Sequence, residues 1–424
     1  MDFTDFTRIY GAGGLGFVGD DECNDELCSG KEKPMLTEQR LRTYLAAKGI
    51  TVRLNSITHE VEISGVPDEY DQNSIPSLLP GLLYDWLRGS YKGCSRQHIK
   101  DLLDIIAGRN KFNPALDLIT SVQWDNIDRI GEVFKILGIQ ENDELSQTLI
   151  CKWLIQCVSL LSNTTDRPFG ADGILVLMGP QGIGKTSFVR ALGMEPGLYK
   201  LGQYLDHRDK DTLRRCTSGW IIELGEIETT TVRGDMARLK AFLTQETDQY
   251  RMPYAATDSR YPRTASMIGT CNDTEFLVDP TGSRRFWTVP VNKIDLDRLN
   301  ALDVLQLWAE VKALSDEEPQ RFRLSSKEQA QLEARNVRHE RPLAAQREIE
   351  DIFAQADSSP ECFAWRDVTA TQFKAEYESL RNYSVEKIGK ALSKLGIASK
   401  SKKINGNVSQ IRNLPMRRYS RWGV

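Results

Sequence analysis

One motif restricts the fold of this chain more than any other, the run Gly179-Pro180-Gln181-Gly182-Ile183-Gly184-Lys185-Thr186. An apolar stretch at residues 174–178 precedes it, and a helical pattern that starts at Ser187 follows it. Glycines in such a loop turn backbone N–H groups onto phosphate oxygens, and the helix N-terminus adds positive partial charge. A glycine-rich turn before any α/β helix is the alternative, but it does not explain why strand, loop, Lys-Thr pair and helix occur together. We therefore expect residues 179–187 to bind a nucleotide.

Composition indicates an ordinary globular protein with more than one domain. Its 424 residues exceed the usual size of one core, and 40% hydrophobic with 27% charged residues is typical of soluble chains. No apolar run approaches the roughly 18 residues of a membrane span, and the N-terminus lacks the regions of a signal peptide. The eight cysteines form no Cys-x-x-Cys pair, which favours reduced thiols. We expect a cytoplasmic protein without a membrane partner.

Hydrophobic periodicity predicts helices, then an α/β core, then a basic last part. The first helices are expected at residues 36–48, 78–91, 96–109, 130–137 and 145–161, with a hairpin at residues 51–55 and 60–64. A parallel sheet is predicted from the apolar runs 174–178, 220–224, 265–269 and 286–291. Later helices are expected at residues 302–314, 326–338, 371–380 and 385–395, before a hairpin closed by Asn405-Gly406.

These patterns divide the chain into five expected segments. The first is a flexible acidic tail at residues 1–34, and the second is a mainly helical domain at residues 35–160. A P-loop ATPase domain follows at residues 161–320, with a helical linker at residues 321–360. Residues 361–424 complete the chain as a basic winged-helix-like domain, because two helices precede a basic hairpin there.

Charge is unevenly distributed along the chain, although the formal net charge is only -4. Residues 384–424 contain ten basic side chains and a single acid, Glu386, which points to a polyanionic partner. A solvated cationic tail is the alternative. Sequence-tolerant binding to DNA phosphates is expected from Lys400, Lys402, Lys403, Arg412, Arg417 and Arg418.

Polar side chains end the two apolar runs that follow the glycine loop. Glu223 ends the run 220–224 and is the better candidate for holding Mg²⁺ together with Thr186. Glu226 would polarise the attacking water if the turn brings it back, or is a solvated turn residue. Asn272 ends the next run, where its amide would hold that water or the γ-phosphate, or simply start a turn.

Arg284 and Arg285 stand directly before the run 286–291. A guanidinium fork suits the charge that develops on a transferred phosphoryl group. Supplied by a neighbouring subunit, one of them would act as an arginine finger. A structural ion pair is the alternative for the other.

Residues 170–295 resemble the virulence-associated E family of plasmid- and phage-borne P-loop proteins. The resemblance is carried by the glycine loop, the Glu223–Glu226 strand end, the segment from Lys240 to Tyr254, the Gly-Thr-Cys-Asn272 strand and the Gly-Ser-Arg284-Arg285-Phe-Trp run. That family is similar to superfamily 3 helicases, hexameric ATPases with an AAA+-like core. The resemblance implies Glu223 and Glu226 as the acidic motif, Asn272 as sensor and Arg284 or Arg285 as finger. Leu224 and Gly225 separate two acids that are often adjacent in those helicases, which leaves the identity of the base open.

Superfamily 3 helicases carry a DNA-gripping hairpin between the acidic strand and the sensor. The corresponding residues here include Arg251, Tyr254, Arg260 and Arg263, which suit phosphate contact and base stacking. A hairpin that packs between subunits would use the same residue types.

The sequence thus predicts an ATP- and Mg²⁺-dependent DNA helicase or translocase. It would form a homo-hexamer or another ring, act on single-stranded or forked DNA, and serve replication of a phage, plasmid or genomic island. The alternative is a nucleotide-switched replication initiator or regulator that binds DNA without unwinding it. A small-molecule kinase is a weaker third interpretation, because the basic C-terminal block has no role there.

Overall fold

The computed structural model describes residues 33–67, 70, 74–205, 209–227, 236–250, 259–272, 276–277, 283–318, 320–339, 344–404 and 407–418. These residues form two compact units, one of residues 33–54 and 61–111, the other of residues 55–60 and those from 112 onward. The boundary expected at residue 160 therefore differs from the division in the structure. Helices between residues 114 and 161 belong to the second unit because their apolar side chains share its main core. The tail predicted at residues 1–34 lies almost wholly outside the described residues.

The first unit packs three helices against a small hairpin. Its helices are α1 (Glu38–Ala47), α2 (Ile75–Leu87) and α3 (Arg96–Arg109), and its strands are β1 (Thr51–Asn55) and β2 (Val61–Ser64). The strands pair antiparallel, as the alternating pattern predicts. Thr37 and Ser95 cap α1 and α3 through their side-chain oxygens. A third short strand, β3 (Lys111–Phe112), pairs with β1 on its other edge.

The second unit begins with helices that lead into the sheet. They are α4 (Pro114–Thr120), α5 (Ile130–Ile136) and α6 (Glu144–Leu161). Along the sheet region follow β4 (Ile174–Met178), α7 (Lys185–Leu192), β5 (Tyr199–Gln203), α8 (Lys210–Arg215), β6 (Ile221–Leu224), α9 (Met236–Leu243), β7 (Thr247–Tyr250), β8 (Ser259–Pro262), β9 (Ser266–Cys271) and β10 (Phe286–Pro290).

Five of these strands form one parallel sheet in the order β10-β4-β9-β6-β5. The predicted parallel sheet is confirmed, and β4 and β9 are buried at every residue, as expected for strands covered on both faces. The indole N–H groups of Trp153, Trp220 and Trp308 each donate to a backbone carbonyl at 2.8, 2.9 and 2.8 Å. Large aromatic side chains therefore fill the core without leaving a buried donor unsatisfied.

The remaining helices and strands follow the sheet in chain order. They are α10 (Leu296–Ala301), α11 (Val304–Glu317), α12 (Ser326–Asn336), α13 (Ala344–Ser358), β11 (Phe363–Thr369), α14 (Ala370–Glu376), α15 (Val385–Lys394), β12 (Lys400–Ile404) and β13 (Asn407–Arg417). The last three strands form an antiparallel sheet in the order β11-β13-β12, which packs with α13, α14 and α15 around a core of its own. The two predicted helices and the hairpin are present. Asn405 and Gly406 lie outside the described residues. Helix α13 falls within the helical linker expected at residues 321–360, although its own bounds were not predicted, and β11 was not predicted.

No helix among the described residues combines the length and apolar character that crossing a membrane requires.

Candidate functional site

The glycine loop leaves β4 at the carboxyl edge of the sheet and enters α7. Gly182 and Gly184 have φ angles of +81° and +100°, a conformation that glycine adopts without steric cost. A Cβ at Gly179 would lie 1.9 Å from the Val291 carbonyl oxygen, and one at Gly184 would lie 2.8 Å from Leu296 Cδ2. The loop therefore needs glycine at 182 and 184 for its turns and at 179 for its close approach to the Val291 backbone.

Lys185, the first residue of α7, points under the loop. Its Nζ donates to the carbonyl oxygens of Gly179 and Pro180 at 2.7 and 2.8 Å, and to Asn272 Oδ1 at 2.9 Å. Asn272 follows β9, the strand next to β4, so the parallel sheet brings the two residues together. The lysine is only 7% exposed, and three oxygens surround its ammonium group in the way that phosphate oxygens would.

Thr186 and Glu223 also meet at this edge of the sheet. The Thr186 hydroxyl donates to Glu223 Oε1 at 2.8 Å, and the carboxylate is 1% exposed. Two further donors hold the carboxylate: the Thr270 hydroxyl reaches Oε1 at 3.2 Å, and the Gly202 N–H reaches Oε2 at 3.1 Å. Neither Thr270 nor Gly202 was predicted from the sequence, although an apolar strand with a threonine two residues before Asn272 is a usable signal.

Glu226 takes a different position from Glu223. It is exposed, lies beyond the end of β6, and has a φ of +47°, which is unusual for a residue with a side chain. Left-handed backbone costs such a residue roughly 1–2 kcal/mol, and strain of this kind concentrates at functional sites. The two acids therefore differ in kind, one buried and hydrogen-bonded, the other at the surface of a strained turn.

Magnesium chemistry is compatible with this donor set. Mg²⁺ in phosphate sites takes one or two carboxylates, keeps several waters and completes its shell with substrate phosphates. Thr186 and Glu223 supply a hydroxyl and a carboxylate beside the loop. Across the described part of the chain, no cluster of three or more His, Cys, Asp or Glu side chains offers an all-protein metal site.

Arg284 and Arg285 lie at the opposite edge of the sheet. They form a short 3₁₀ turn directly before β10, which runs parallel to β4. Five residues of strand, about 16 Å at 3.3 Å each, separate that edge from the glycine loop. Arg284 is exposed and its Nη1 donates to Gln329 Oε1 at 3.2 Å, whereas Arg285 is half-buried. Within one copy of the chain, these arginines are not brought together with Lys185.

The insertion before β9 contains the predicted DNA-contact residues. Its flanks, β7 and β8, pair antiparallel, and Arg260 is exposed on β8 opposite Gln249. Arg251 and Tyr254 lie outside the described residues. The hairpin's two strands are therefore present, and Arg260 faces solvent as a DNA contact requires.

The expectation for Arg263 needs correction. Its side chain is 1% exposed, and Nε and Nη2 donate to the two Asp248 oxygens at 2.6 and 2.5 Å. The guanidinium also lies 4.7 Å from the centre of the Phe242 ring. Arg263 therefore anchors the base of the hairpin in the core and is not accessible to DNA phosphate.

The basic residues of the last sheet divide into two groups. Lys400, Lys402 and Lys403 are exposed on β12. Arg412 is half-buried and donates to Ser393 Oγ at 2.9 Å, and so joins β13 to α15.

The remaining two arginines of this group are exposed and have intramolecular contacts. Arg417 lies 5.6 Å from the centre of the Tyr377 ring, and Arg418 Nε donates to the Phe363 carbonyl at 2.8 Å. The three lysines thus offer the more accessible cationic surface, whereas the structure gives Arg412 a packing role that the sequence did not indicate.

Comparison with known proteins identifies one family. The model of the virulence-associated protein E-like domain matches residues 119–341, more than half of the chain. Similar solved structures include the apo structure of the NrS-1 C-terminal region (305–718), with a TM-score of 0.49 and 13% identity over 89% of this chain and 99% of that one. An A-form apo structure of the same region has a TM-score of 0.47 and 12% identity over 90% and 100% of the two chains. No protein of curated function matches the sequence.

Proposed function

We propose that this chain, which belongs to the virulence-associated protein E-like family, is an ATP-hydrolysing, ring-forming DNA helicase or translocase. It would serve replication of a phage, plasmid or genomic island. The observation that carries the proposal is the contact network beneath the glycine loop. There Lys185 meets Asn272, and Thr186 meets the buried Glu223 carboxylate, at 2.9 and 2.8 Å. Four side chains from three separate segments converge where a loop of this shape holds phosphates.

In this proposal, the residues at the glycine loop have different roles in phosphoryl transfer. The loop N–H groups and the Lys185 ammonium bind the phosphates and offset their charge, while Thr186 and Glu223 would hold Mg²⁺. Bound Mg²⁺ supplies Lewis-acid polarisation of the phosphoryl oxygens. Glu223 or Glu226 orients the attacking water, and Asn272, which contacts Lys185, holds the γ-phosphate or that water.

Assembly of several copies would bring an arginine of one copy to the nucleotide bound by the next. Arg284 and Arg285 lie about 16 Å, one strand length, from the loop of their own chain. A neighbouring copy that places this edge of its sheet against the loop would complete the site with an arginine finger. This separation supports a ring in which every nucleotide lies between two subunits.

DNA contact is assigned to two surfaces. The first is the insertion hairpin, through the exposed Arg260 and, by sequence, Arg251 and Tyr254. The second is the C-terminal sheet and its helices, which we interpret as a winged-helix-like domain that binds phosphates through Lys400, Lys402 and Lys403. Contacts to the DNA backbone do not depend on the base sequence, as a translocase requires.

The test combines ATP hydrolysis with strand separation. The purified chain should hydrolyse ATP faster when DNA is added, and Lys185→Ala should abolish hydrolysis, whereas Arg190→Ala, an exposed position on the same helix, should not. Equal hydrolysis by Lys185→Ala and the parent would overturn the assignment.

A forked duplex distinguishes the two DNA-binding alternatives. Strand separation that requires ATP supports the helicase. ATP-dependent DNA binding without separation or translocation would favour the nucleotide-switched initiator, for which the exposed lysines of β12 would suffice.

A further inference from the structure

A cavity of about 180 Å³ opens beside the amino ends of β4 and β10, at the edge of the sheet away from the glycine loop. Its charged and amide-bearing lining residues are Arg284, Arg285, Arg323, Asp172, Glu246 and Gln329. We propose that Arg323 joins Arg284 and Arg285 here as a third guanidinium that contacts the terminal phosphate of a neighbouring copy's nucleotide. This inference rests on the proposed function, because it requires nucleotide bound between two copies.

The two finger candidates retain capacity for an anionic ligand. Arg285 Nε is buried, and in the described part of the chain it lacks a hydrogen-bond partner. Arg284 is hydrogen-bonded to a neutral amide, Gln329, at 3.2 Å. A buried guanidinium N–H without an acceptor is unfavourable, and Arg285 is the lining residue that carries one.

Arg323 is placed to act with them. Its backbone is fixed on both sides, since the Arg323 N–H donates to the Gln320 carbonyl at 3.0 Å. In the following peptide unit, Lys152 Nζ donates to the Arg323 carbonyl at 2.7 Å and the Leu324 N–H donates to Asp172 Oδ2 at 3.0 Å. Its side chain is 41% exposed, and its Nη1 lies 3.6 Å from Asp172 Oδ1, longer than a charge-assisted hydrogen bond. Its Nε donates to a neutral amide, Gln320 Oε1, at 3.0 Å. The guanidinium rests 5.2 Å from the centre of the Phe322 ring. The backbone of Arg323 is therefore held firmly, whereas its guanidinium is only loosely engaged with its acidic partner, Asp172.

Charge and distance identify the ligand. Three arginines face two carboxylates, so the lining is net positive and suits an anion. A terminal phosphate spreads its charge over three oxygens, which several guanidinium groups can bind at once. The nucleotide site of the same copy lies about one strand length, 16 Å, away, so the phosphate comes from another copy.

Steady-state ATP hydrolysis by the full chain with DNA tests the proposal. Arg323→Ala should lower kcat at least tenfold and leave KM within about threefold, because a finger acts on charge that develops in the transition state. Arg323→Lys should recover part of the loss. Arg321→Ala, in the same segment but paired with Glu317 at the surface, is the matched control and should match the parent. A kcat for Arg323→Ala within twofold of the parent would overturn the proposal.

Asp172→Asn separates phosphate contact from a structural role. If Arg323 serves only to pair with Asp172, removing that charge should reproduce the Arg323→Ala loss, and this result would also contradict the proposal. If Arg323 binds phosphate, Asp172→Asn should lower kcat clearly less than Arg323→Ala does, because the guanidinium remains and the asparagine oxygen still accepts from the Leu324 N–H. Should Arg323→Ala fold poorly by its thermal unfolding midpoint, Arg323→Gln is assayed in its place against the same limits. Loss of activity in Arg284→Ala with full activity in Arg323→Ala would reject this inference and leave the proposed function standing.

Discussion

The Glu223 carboxylate accepts hydrogen bonds on both of its oxygens, from Thr186 and Thr270 on Oε1 and from the Gly202 N–H on Oε2. Glu223→Gln replaces one acceptor oxygen with an NH₂ group and removes the charge that the proposed Mg²⁺ site requires. We expect hydrolysis to fall about 100-fold or more, while nucleotide affinity changes little because the loop and Lys185 remain. ATPase rates and titration with a fluorescent ATP analogue measure the two effects. Failure of Glu223→Gln to bind the analogue would contradict this role, and Glu226→Gln in parallel assigns the base.

Under the proposed function, Thr270 acts through Glu223 as a positioning residue. Thr270→Val keeps the shape of the side chain and removes the hydroxyl that donates to Glu223 Oε1. Loss of a hydrogen bond to a charged group, about 1.5–3 kcal/mol, should lower kcat roughly tenfold or more with little change in KM. Thr270→Ser retains the hydroxyl and should remain near the parent. If valine and serine variants hydrolyse ATP equally well, the hydroxyl does not position Glu223.

Arg263 contributes to stability through its pair with Asp248, whose side chain is 8% exposed. Removing one partner of a buried pair leaves an uncompensated charge, so Arg263→Met should lower the free energy of unfolding by about 3–5 kcal/mol. Urea denaturation measures the change. The double variant Arg263→Met with Asp248→Leu should regain most of it, since both charges are then absent. A single variant as stable as the parent would show that the pair has little energetic weight.

At the scale of secondary structure, the N-terminus of α6 joins the sheet core to α12. Asp143 caps α6 and accepts hydrogen bonds from Ser146 Oγ and Arg335 Nη2, both at 2.6 Å. Desolvation by burial raises the pKa of Asp143, but the hydrogen bonds from Ser146 and Arg335 outweigh it, so the net pKa lies below its ordinary value. A depressed pKa stabilises the folded state above the unfolded pKa of about 3.9, and this stabilisation is lost as pH falls through the folded pKa.

Asp143→Asn preserves the cap and removes the charge. It should reduce the free energy of unfolding by about 1 kcal/mol at pH 7, and the difference from the parent should shrink below about pH 4. Urea denaturation at several pH values measures it. Asp316→Asn, in a surface pair with Lys312, serves as a control with little effect. A deficit for Asp143→Asn that is as large at pH 3 as at pH 7 would exclude the charge as its cause.

The sheet also shows which strands a sequence can predict. Ile174–Met178 is apolar throughout because it is covered on both faces, so its pattern is unmistakable. Tyr199–Gln203 lies at the edge of the sheet, contains Lys200 and Gly202, and shifts register against β6, so no periodicity marks it. Yet this irregular strand supplies the Gly202 N–H to Glu223. The Gly202 contact could therefore not be predicted from the sequence, because it depends on backbone geometry.

At the scale of the whole molecule, the feature most predictable from the sequence was that residues far apart in the chain meet at one edge of the sheet. Lys185 and Asn272 are far apart in sequence but follow adjacent parallel strands, which end at one edge of the sheet. Arg263 shows the limit of such predictions. The sequence around an arginine beside a turn does not indicate whether its side chain faces solvent or pairs with a buried aspartate. Arg323 was not recognised either, since only the fold places it beside Arg284 and Arg285.

The separation of Arg284 and Arg285 from the glycine loop leads to a prediction about assembly. Lys185→Ala copies lack a working loop but retain both arginines, whereas copies with Arg284→Ala and Arg285→Ala retain the loop and lack the finger. Each preparation alone should be inactive. In an equal mixture that exchanges subunits, about one quarter of the interfaces would combine an intact loop with an intact finger.

ATPase measurement after mixing, with the particle mass determined in parallel, tests this arrangement. Recovery toward one quarter of the parental rate is the expected result, because the loop and the finger then come from different copies. Arg190→Ala copies, with both elements intact, control for the mixing procedure. An inactive mixture whose subunits demonstrably exchange would place the finger in the same chain as the loop, which the strand length between them argues against.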